Sequence, residues 1–194
     1  MKMSLLDRSL ALVMMAFAVL FVSSPVKSQD KWEVEDSNIK RLPPTAFPQL
    51  PKKIIHYLQV RRCTVPQSDV YSQPHNVIRG QFARRGQYDW AVLCSRKRIS
   101  SIIVFWNGSA KRPSEIAKSE DKTYLQSTDE HRGIGFSRVI GVVGKKFILD
   151  HYRAYGGLKP PPITHQGIDD GFMEKASVVL YFHRHRWLEL QGAD

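Results

Sequence analysis

Two cysteines, Cys63 and Cys94, are all that this 194-residue chain contains. They lie too far apart for a C-x-x-C redox pair and are too few for a cysteine zinc cluster. The sequence also lacks a P-loop, an H-E-x-x-H metal helix and a glycine-rich dinucleotide fingerprint. Its nearest approach to a nucleophile elbow, Gly135-Phe-Ser-Arg-Val139, is missing the second glycine and any strand-to-helix context. Recognised enzyme chemistry therefore has no motif to stand on, and no cofactor or metal site is expected. Acidic residues are scarce as well: 18 Asp and Glu face 29 Lys and Arg, a formal charge of +11. Such a surplus attracts anionic partners through a field that salt screens.

Long apolar runs are missing except at the start. Residues 9–22 form one uninterrupted run behind Lys2 and Arg8. A membrane-spanning helix needs about 20 apolar residues, whereas a signal-peptide core needs about 7 to 15. Residues 1–28 are thus expected to be a signal peptide, with Val26 and Ser28 as the small residues before a cut at Gln29; a retained anchor is the alternative. The rival cut after Ser24 would set Pro25 against the scissile bond. No cysteine follows the run, so neither a lipid anchor nor a membrane span after cleavage is expected. The expected location is periplasmic or secreted. Cleavage leaves 166 residues carrying +9, the size of one domain. In an oxidising compartment an even pair of cysteines joins, so a Cys63 to Cys94 disulfide is expected, with a reactive thiol as the alternative.

Residues 29–46 mix charges with few apolar side chains and run into Pro43, Pro44, Pro48 and Pro51; a poorly ordered lead-in is expected there. A single globular domain is expected over 47–194. Ile54, Ile55 and Leu58 share a face after Pro51, which predicts a short helix over 52–61. Segments 76–82, 89–94 and 99–106 are rich in Val, Ile, Phe and Trp and read as a strand meander. Its tip, Ser95-Arg-Lys-Arg98, concentrates three cations, and 107–120 reads as a polar surface loop. A further strand is expected over 136–143, and a helix over 147–155 that Gly156-Gly157 ends. Residues 176–183 and 186–191 read as a closing hairpin around a basic turn. The predicted class is α+β, mainly antiparallel sheet (a meander and a C-terminal hairpin), with two short helices and one disulfide.

Gly80-Gln-Phe82, Gly86 and Asp89-Trp-Ala-Val-Leu-Cys94, followed by Ser101-Ile-Ile-Val-Phe105, resemble a single blade of the FG-GAP or VCBS repeat over residues 80–105. That family holds calcium on alternating Asp and Asn oxygens, because a hard cation demands several oxygen ligands in a compact loop. Here the matching positions are Gln81, Ala83 and Arg85. The resemblance therefore implies a blade without calcium, with Arg85 standing where the cation's charge would be. Over nearly the whole processed length the chain is similar to a group of exported bacterial proteins. That likeness rests on Arg62-Cys-Thr-Val-Pro-Gln67, Asp89-Trp-Ala-Val-Leu-Cys-Ser95, Glu174-Lys-Ala-Ser-Val-Val179 and Leu190-Gln-Gly-Ala-Asp194. It implies a bacterial exported setting, makes the glycosylation sequon at Asn107 incidental, and carries over no catalytic residue.

Several constellations have competing readings. His165, Asp169, Asp170 and Glu174 can supply a general acid and base if a loop folds them together; the plain alternative is a turn bonded to its own backbone. His183 and His185 have metal-ligand spacing, but Arg184 and Arg186 oppose a cation. His151 sits on the apolar stripe of its helix and reads as core. Trp90, Trp106 and Trp187 read as core unless one face exposes them to stack on sugars. The pairs Arg61-Arg62, Arg84-Arg85, Lys111-Arg112 and Lys145-Lys146 make an anion-binding surface with Arg96, Lys97 and Arg98 only if the fold gathers them. The expected function is a non-enzymatic exported binding or structural module for an anionic envelope polymer or an acidic protein. Nucleic acid is not expected, and a hydrolase of an envelope polymer built on the His165 to Glu174 segment is the alternative.

Overall fold

The computed structural model describes residues 31–128 and 133–194, so the signal peptide expected over 1–28 lies outside the described residues. Among the described residues the chain runs through α1 (Lys31–Asn38), β1 (Arg41–Leu42), α2 (Lys52–Val60), β2 (Val65–Pro66), β3 (Val77–Gly80), β4 (Asp89–Arg96) and β5 (Ile99–Phe105). It continues through β6 (Ser114–Glu120), β7 (Leu125–Thr128), β8 (Gly133–Phe136), β9 (Arg138–Val143), α3 (Lys145–Tyr155), β10 (Gly167–Phe172), β11 (Ala176–His183) and β12 (Arg186–Gln191). The class is α+β, mainly antiparallel, and Cys63 is bonded to Cys94.

Two four-stranded sheets, ordered β3-β4-β5-β6 and β12-β11-β10-β9, pack face to face. Alternation along each strand assigns the layers. Ala91, Leu93, Ile102 and Val104 point inward against Ile140, Ile168 and Leu180 of the second sheet. Their sequence neighbours Val92, Cys94, Ile103 and Phe105 point outward, where Phe47, Leu50, Ile54 and Leu58 cover them. On the far side Ile148 of α3 and Ile163 cover Val179, Tyr181 and Leu190. The result is four layers, helix, sheet, sheet, helix, and each fully buried large aliphatic in them contributes about 1.5–3 kcal/mol. No helix of the described residues is long and apolar enough to cross a membrane.

A fully buried arginine fastens the two sheets. Arg138 on β9 donates to Asp170 of β10 and also reaches the Ser100 hydroxyl at 2.8 Å and the Ala117 carbonyl at 2.6 Å in the first sheet. Burial disfavours its charge, and the bonds to Asp170 more than offset this, so its pKa is raised.

Four expectations need correction. Residues 31–46 of the predicted lead-in are structured: α1 sets Trp32 against the inter-sheet core, and Arg41 grips Asp36 and buried Asp121 at 3.2 and 2.7 Å. The charges there signalled ion pairing, not solvation. The polar loop predicted over 107–120 contains β6, an edge strand with a bulge at Ala117, whose φ is 50°. Its charges suit an edge that faces water. The strand predicted over 136–143 is broken at Ser137 into β8 and β9. The segment 165–174, read as a loop or turn, contains β10, a central strand whose charged face is tolerated because Arg138 neutralises Asp170.

Candidate anion-binding groove

α2 covers only part of its sheet. The face presented by Val92, Cys94, Ile103 and Phe105 continues past the helix as Arg96, Ile99 and Ser101, which line a concavity of about 430 Å³. Arg61 and Arg62, at the end of α2, form its near wall, and Lys97 and Lys118 complete it. Five cations thus surround one carboxylate, Glu115, which pairs with Arg96 and accepts the Ser101 hydroxyl at 2.8 Å. Arg61, Arg62, Lys97 and Lys118 are exposed, while Arg96 is half-buried.

Local structure places these cations at some cost. Arg62 follows the last turn of α2 with φ 54°, its N–H bonded to the Gln59 carbonyl and the Cys63 N–H to the Leu58 carbonyl. This is a Schellman ending, in which the left-handed residue is usually glycine. Arg96 pairs with Ile99, so Lys97-Arg98 is a two-residue turn, with φ of 53° and 62°. Such a type I′ turn prefers Asn-Gly. A left-handed non-glycine residue costs about 1–2 kcal/mol, so two groove cations occupy positions where glycine or asparagine is cheaper. The Arg61 guanidinium lies over the Tyr57 ring at 4.6 Å. The disulfide holds the walls together: Cys63 follows Arg62, Cys94 precedes Arg96 by two residues, and their Cα atoms are 5.4 Å apart.

The basic tip therefore divides. Arg96 faces the groove, Lys97 borders both the groove and a neighbouring concavity lined by Glu33, Asp36 and Glu120, and Arg98 turns to α1 and pairs with Asp36 at 3.3 Å and Glu33 at 3.7 Å. Sequence reasoning missed Lys118 and Glu115 because they sit in the strand taken for a loop. The approach of Arg61-Arg62 to the tip was foreshadowed, since pairing Cys63 with Cys94 brings the two basic segments together.

The fold does not assemble the His165 to Glu174 set. His165 precedes and Glu174 follows β10, a six-residue strand roughly 17 Å long at about 3.3 Å per residue, so the two lie at its opposite ends. The His165 imidazole stacks on Tyr181, its Nε2 donating to the Phe182 carbonyl at 2.9 Å and its Nδ1 facing the Tyr181 hydroxyl at 3.1 Å. Burial lowers its pKa, with the Phe182 bond opposing. Asp170 points toward the first sheet and is held by Arg138. Asp169 points the other way, into a concavity of about 400 Å³ that Glu174 and Asp194 also line. Burial pushes the Asp169 carboxyl pKa up, against a hydrogen bond from Ser177.

The remaining candidates serve the framework. His183 stacks on Tyr181 and His185 meets Phe182, so the two imidazoles lean on adjacent residues that face opposite sides of β11. His151 donates to the Phe147 carbonyl at 2.8 Å within α3. Trp106, Phe182 and Trp187 form a half-buried aromatic cluster closing one end of the inter-sheet core, and Trp90 packs on the α2 side. Asp89 is fully buried and anchors the 80–89 loop through the Phe82, Ala83 and Asn107 N–H groups and the Gln87 amide. Backbone amides and Gln87, not Arg85, therefore meet its charge. Arg84 and Arg85 line a separate concavity around Gly86.

Compared with protein-family models, curated proteins and solved structures, the chain matched none.

Proposed function

We propose that this is an exported, non-enzymatic binding module whose groove takes an anionic envelope component or an acidic protein partner. One observation carries the reading: Arg61, Arg62, Arg96, Lys97 and Lys118, drawn from the segment that ends α2, from β4, β6 and a turn, converge on a single concavity with one carboxylate. Dispersed solubilising charge has no reason to converge on one concavity. The processed chain's +9 formal charge adds long-range attraction for the same class of partner.

The test is binding of the oxidised, processed protein to inorganic polyphosphate, followed by fluorescence anisotropy at two salt concentrations. Affinity should fall steeply as salt rises, because counterions compete for the same cations. Arg61→Gln combined with Lys97→Gln and Lys118→Gln should weaken binding about tenfold or more without changing the melting temperature. Salt-independent binding, or a triple variant that binds as the parent does, would sink the reading.

A further inference from the structure

The single carboxylate of the groove sits where a bound oxyanion would. Glu115 lies on β6, opposite Ile103 of β5, and its carboxylate reaches over β5 to β4: it accepts the Ser101 hydroxyl of β5 at 2.8 Å and pairs with the Arg96 guanidinium of β4. A guanidinium and a hydroxyl are the kind of donors that hold a carboxylate or phosphate oxygen. Among the described residues Glu115 is also the one acid paired with a groove cation, and no acid pairs with Arg61, Arg62, Lys97 or Lys118.

The edge strand is built to bring it there. Residues three apart on a regular strand point to opposite faces. The register of β5 with β6 shifts between Ser100 and Ile102, where Ala117 takes a φ of 50°, and this bulge lets Glu115 and Lys118 line the same groove. β6 thus adds one cation to the groove and covers another. The side chains of Arg96 and Glu115 are 31% and 34% exposed, so the pair is within reach of solvent and of a ligand. A pair this exposed adds little to stability and opens at small cost.

We infer that Glu115 is a built-in competitor: its carboxylate fills the oxyanion position on Arg96 and Ser101, and an anionic ligand binds by displacing it. The inference rests on the anion-binding reading and names the residue that regulates affinity at that site. Because the fold tethers it, the carboxylate competes at an effective concentration on the order of millimolar or above. A ligand that also engages Arg61, Arg62, Lys97 and Lys118 overcomes that competition.

The test is polyphosphate binding, by fluorescence anisotropy, to the oxidised, processed protein and to its Glu115→Gln and Glu189→Gln variants. Glutamine keeps an acceptor for Ser101 and removes the charge that holds Arg96. Glu189 is exposed on β12 of the second sheet, outside the groove, so its replacement changes the net charge equally without touching the site. Glu115→Gln should bind about tenfold more tightly, through an ion pair released and a repulsion removed. Its log affinity should also fall more steeply with log salt, by about one unit of slope, as Arg96 becomes a further contact. Glu189→Gln should gain about twofold or less. Should Glu115→Gln fail to fold, Glu115→Thr keeps the comparison, since threonine suits an edge strand. If the parent binds and the triple groove variant weakens binding, yet Glu115→Gln binds no more tightly than Glu189→Gln, self-competition is wrong, Glu115 serves only to position Arg96, and the anion-binding reading stands. If neither the parent nor Glu115→Gln binds polyphosphate, both fall.

Discussion

Arg138 grips Asp170 with two parallel hydrogen bonds, Nε to Oδ1 at 2.8 Å and Nη2 to Oδ2 at 2.7 Å, and the same guanidinium crosses to Ser100 and Ala117 of the facing sheet. Its face also rests on Tyr124, 4.5 Å from the ring centre. Arg138→Met should cost about 3–5 kcal/mol, because it strands the Asp170 carboxylate and frees a buried carbonyl. The double variant Arg138→Met with Asp170→Leu should cost less than the single one. Urea denaturation of the three proteins decides this; a larger loss in the double variant would contradict it.

The disulfide should contribute to stability and to the groove. A closed loop with a sequence separation of 31 residues is worth about 3–4 kcal/mol on the chain-entropy account. Reduction, or Cys63→Ala with Cys94→Ala, should lower the melting temperature by about 10 °C and weaken polyphosphate binding. Binding that survives at full strength would mean that α2 is held against β4 without the bond.

Two imidazoles make the fold sensitive to mild acid. His75 Nδ1 donates to the Gln73 carbonyl, leaving Nε2 to accept the Ser68 N–H at 2.8 Å. A second proton would set N–H against N–H. Burial lowers the pKa of both His75 and His165 below 6.5, so as pH falls the unfolded chain takes up protons first. Stability is therefore full above 6.5 and declines as pH drops through that value. The urea midpoint should be lower at pH 5.5 than at pH 7.5, a window above ordinary carboxylate titration, and His75→Gln should flatten the difference. An unchanged midpoint would refute the assignment.

Asp169 works in the opposite direction. Its raised pKa means that the folded state holds this proton more tightly than the unfolded chain does. The group's favourable contribution is present below 3.8 and is lost as pH rises through the folded value. Asp169→Asn should thus raise the melting temperature at pH 7, with the gain shrinking as acid protonates Asp169 itself. Scanning calorimetry at pH 7 and pH 4 reads the result, and a destabilised variant at pH 7 would count against it.

The second basic turn stores the same kind of strain. Arg184 and His185 join β11 to β12 with φ of 49° and 63°. Arg184→Asn with His185→Gly should stabilise the fold by about 1 kcal/mol. Guanidinium denaturation would show it as a raised midpoint at constant slope. No gain would mean that the His185 contact with Phe182 is worth as much as the strain.

What the chain determines by itself is what repeats within a few residues. Ile54 and Leu58 at helical spacing, the strand alternation of residues 89–105, the Gly156-Gly157 stop and the closing hairpin are all legible, since each depends on neighbours two to four positions away. The disulfide was legible by count. Contacts across the fold were not. Residues 31–46 look solvated until Arg41 meets Asp121, 80 residues on, and residues 165–174 look like a loop until Arg138, 32 residues before Asp170, neutralises it. Local patterning cannot register such pairs, because a charge reads as exposed wherever its partner is distant in sequence. The groove belongs to the same class: its cations were countable from the start, but only the packing of α2, the β4 to β5 tip and β6 around Cys63 and Cys94 made them one surface.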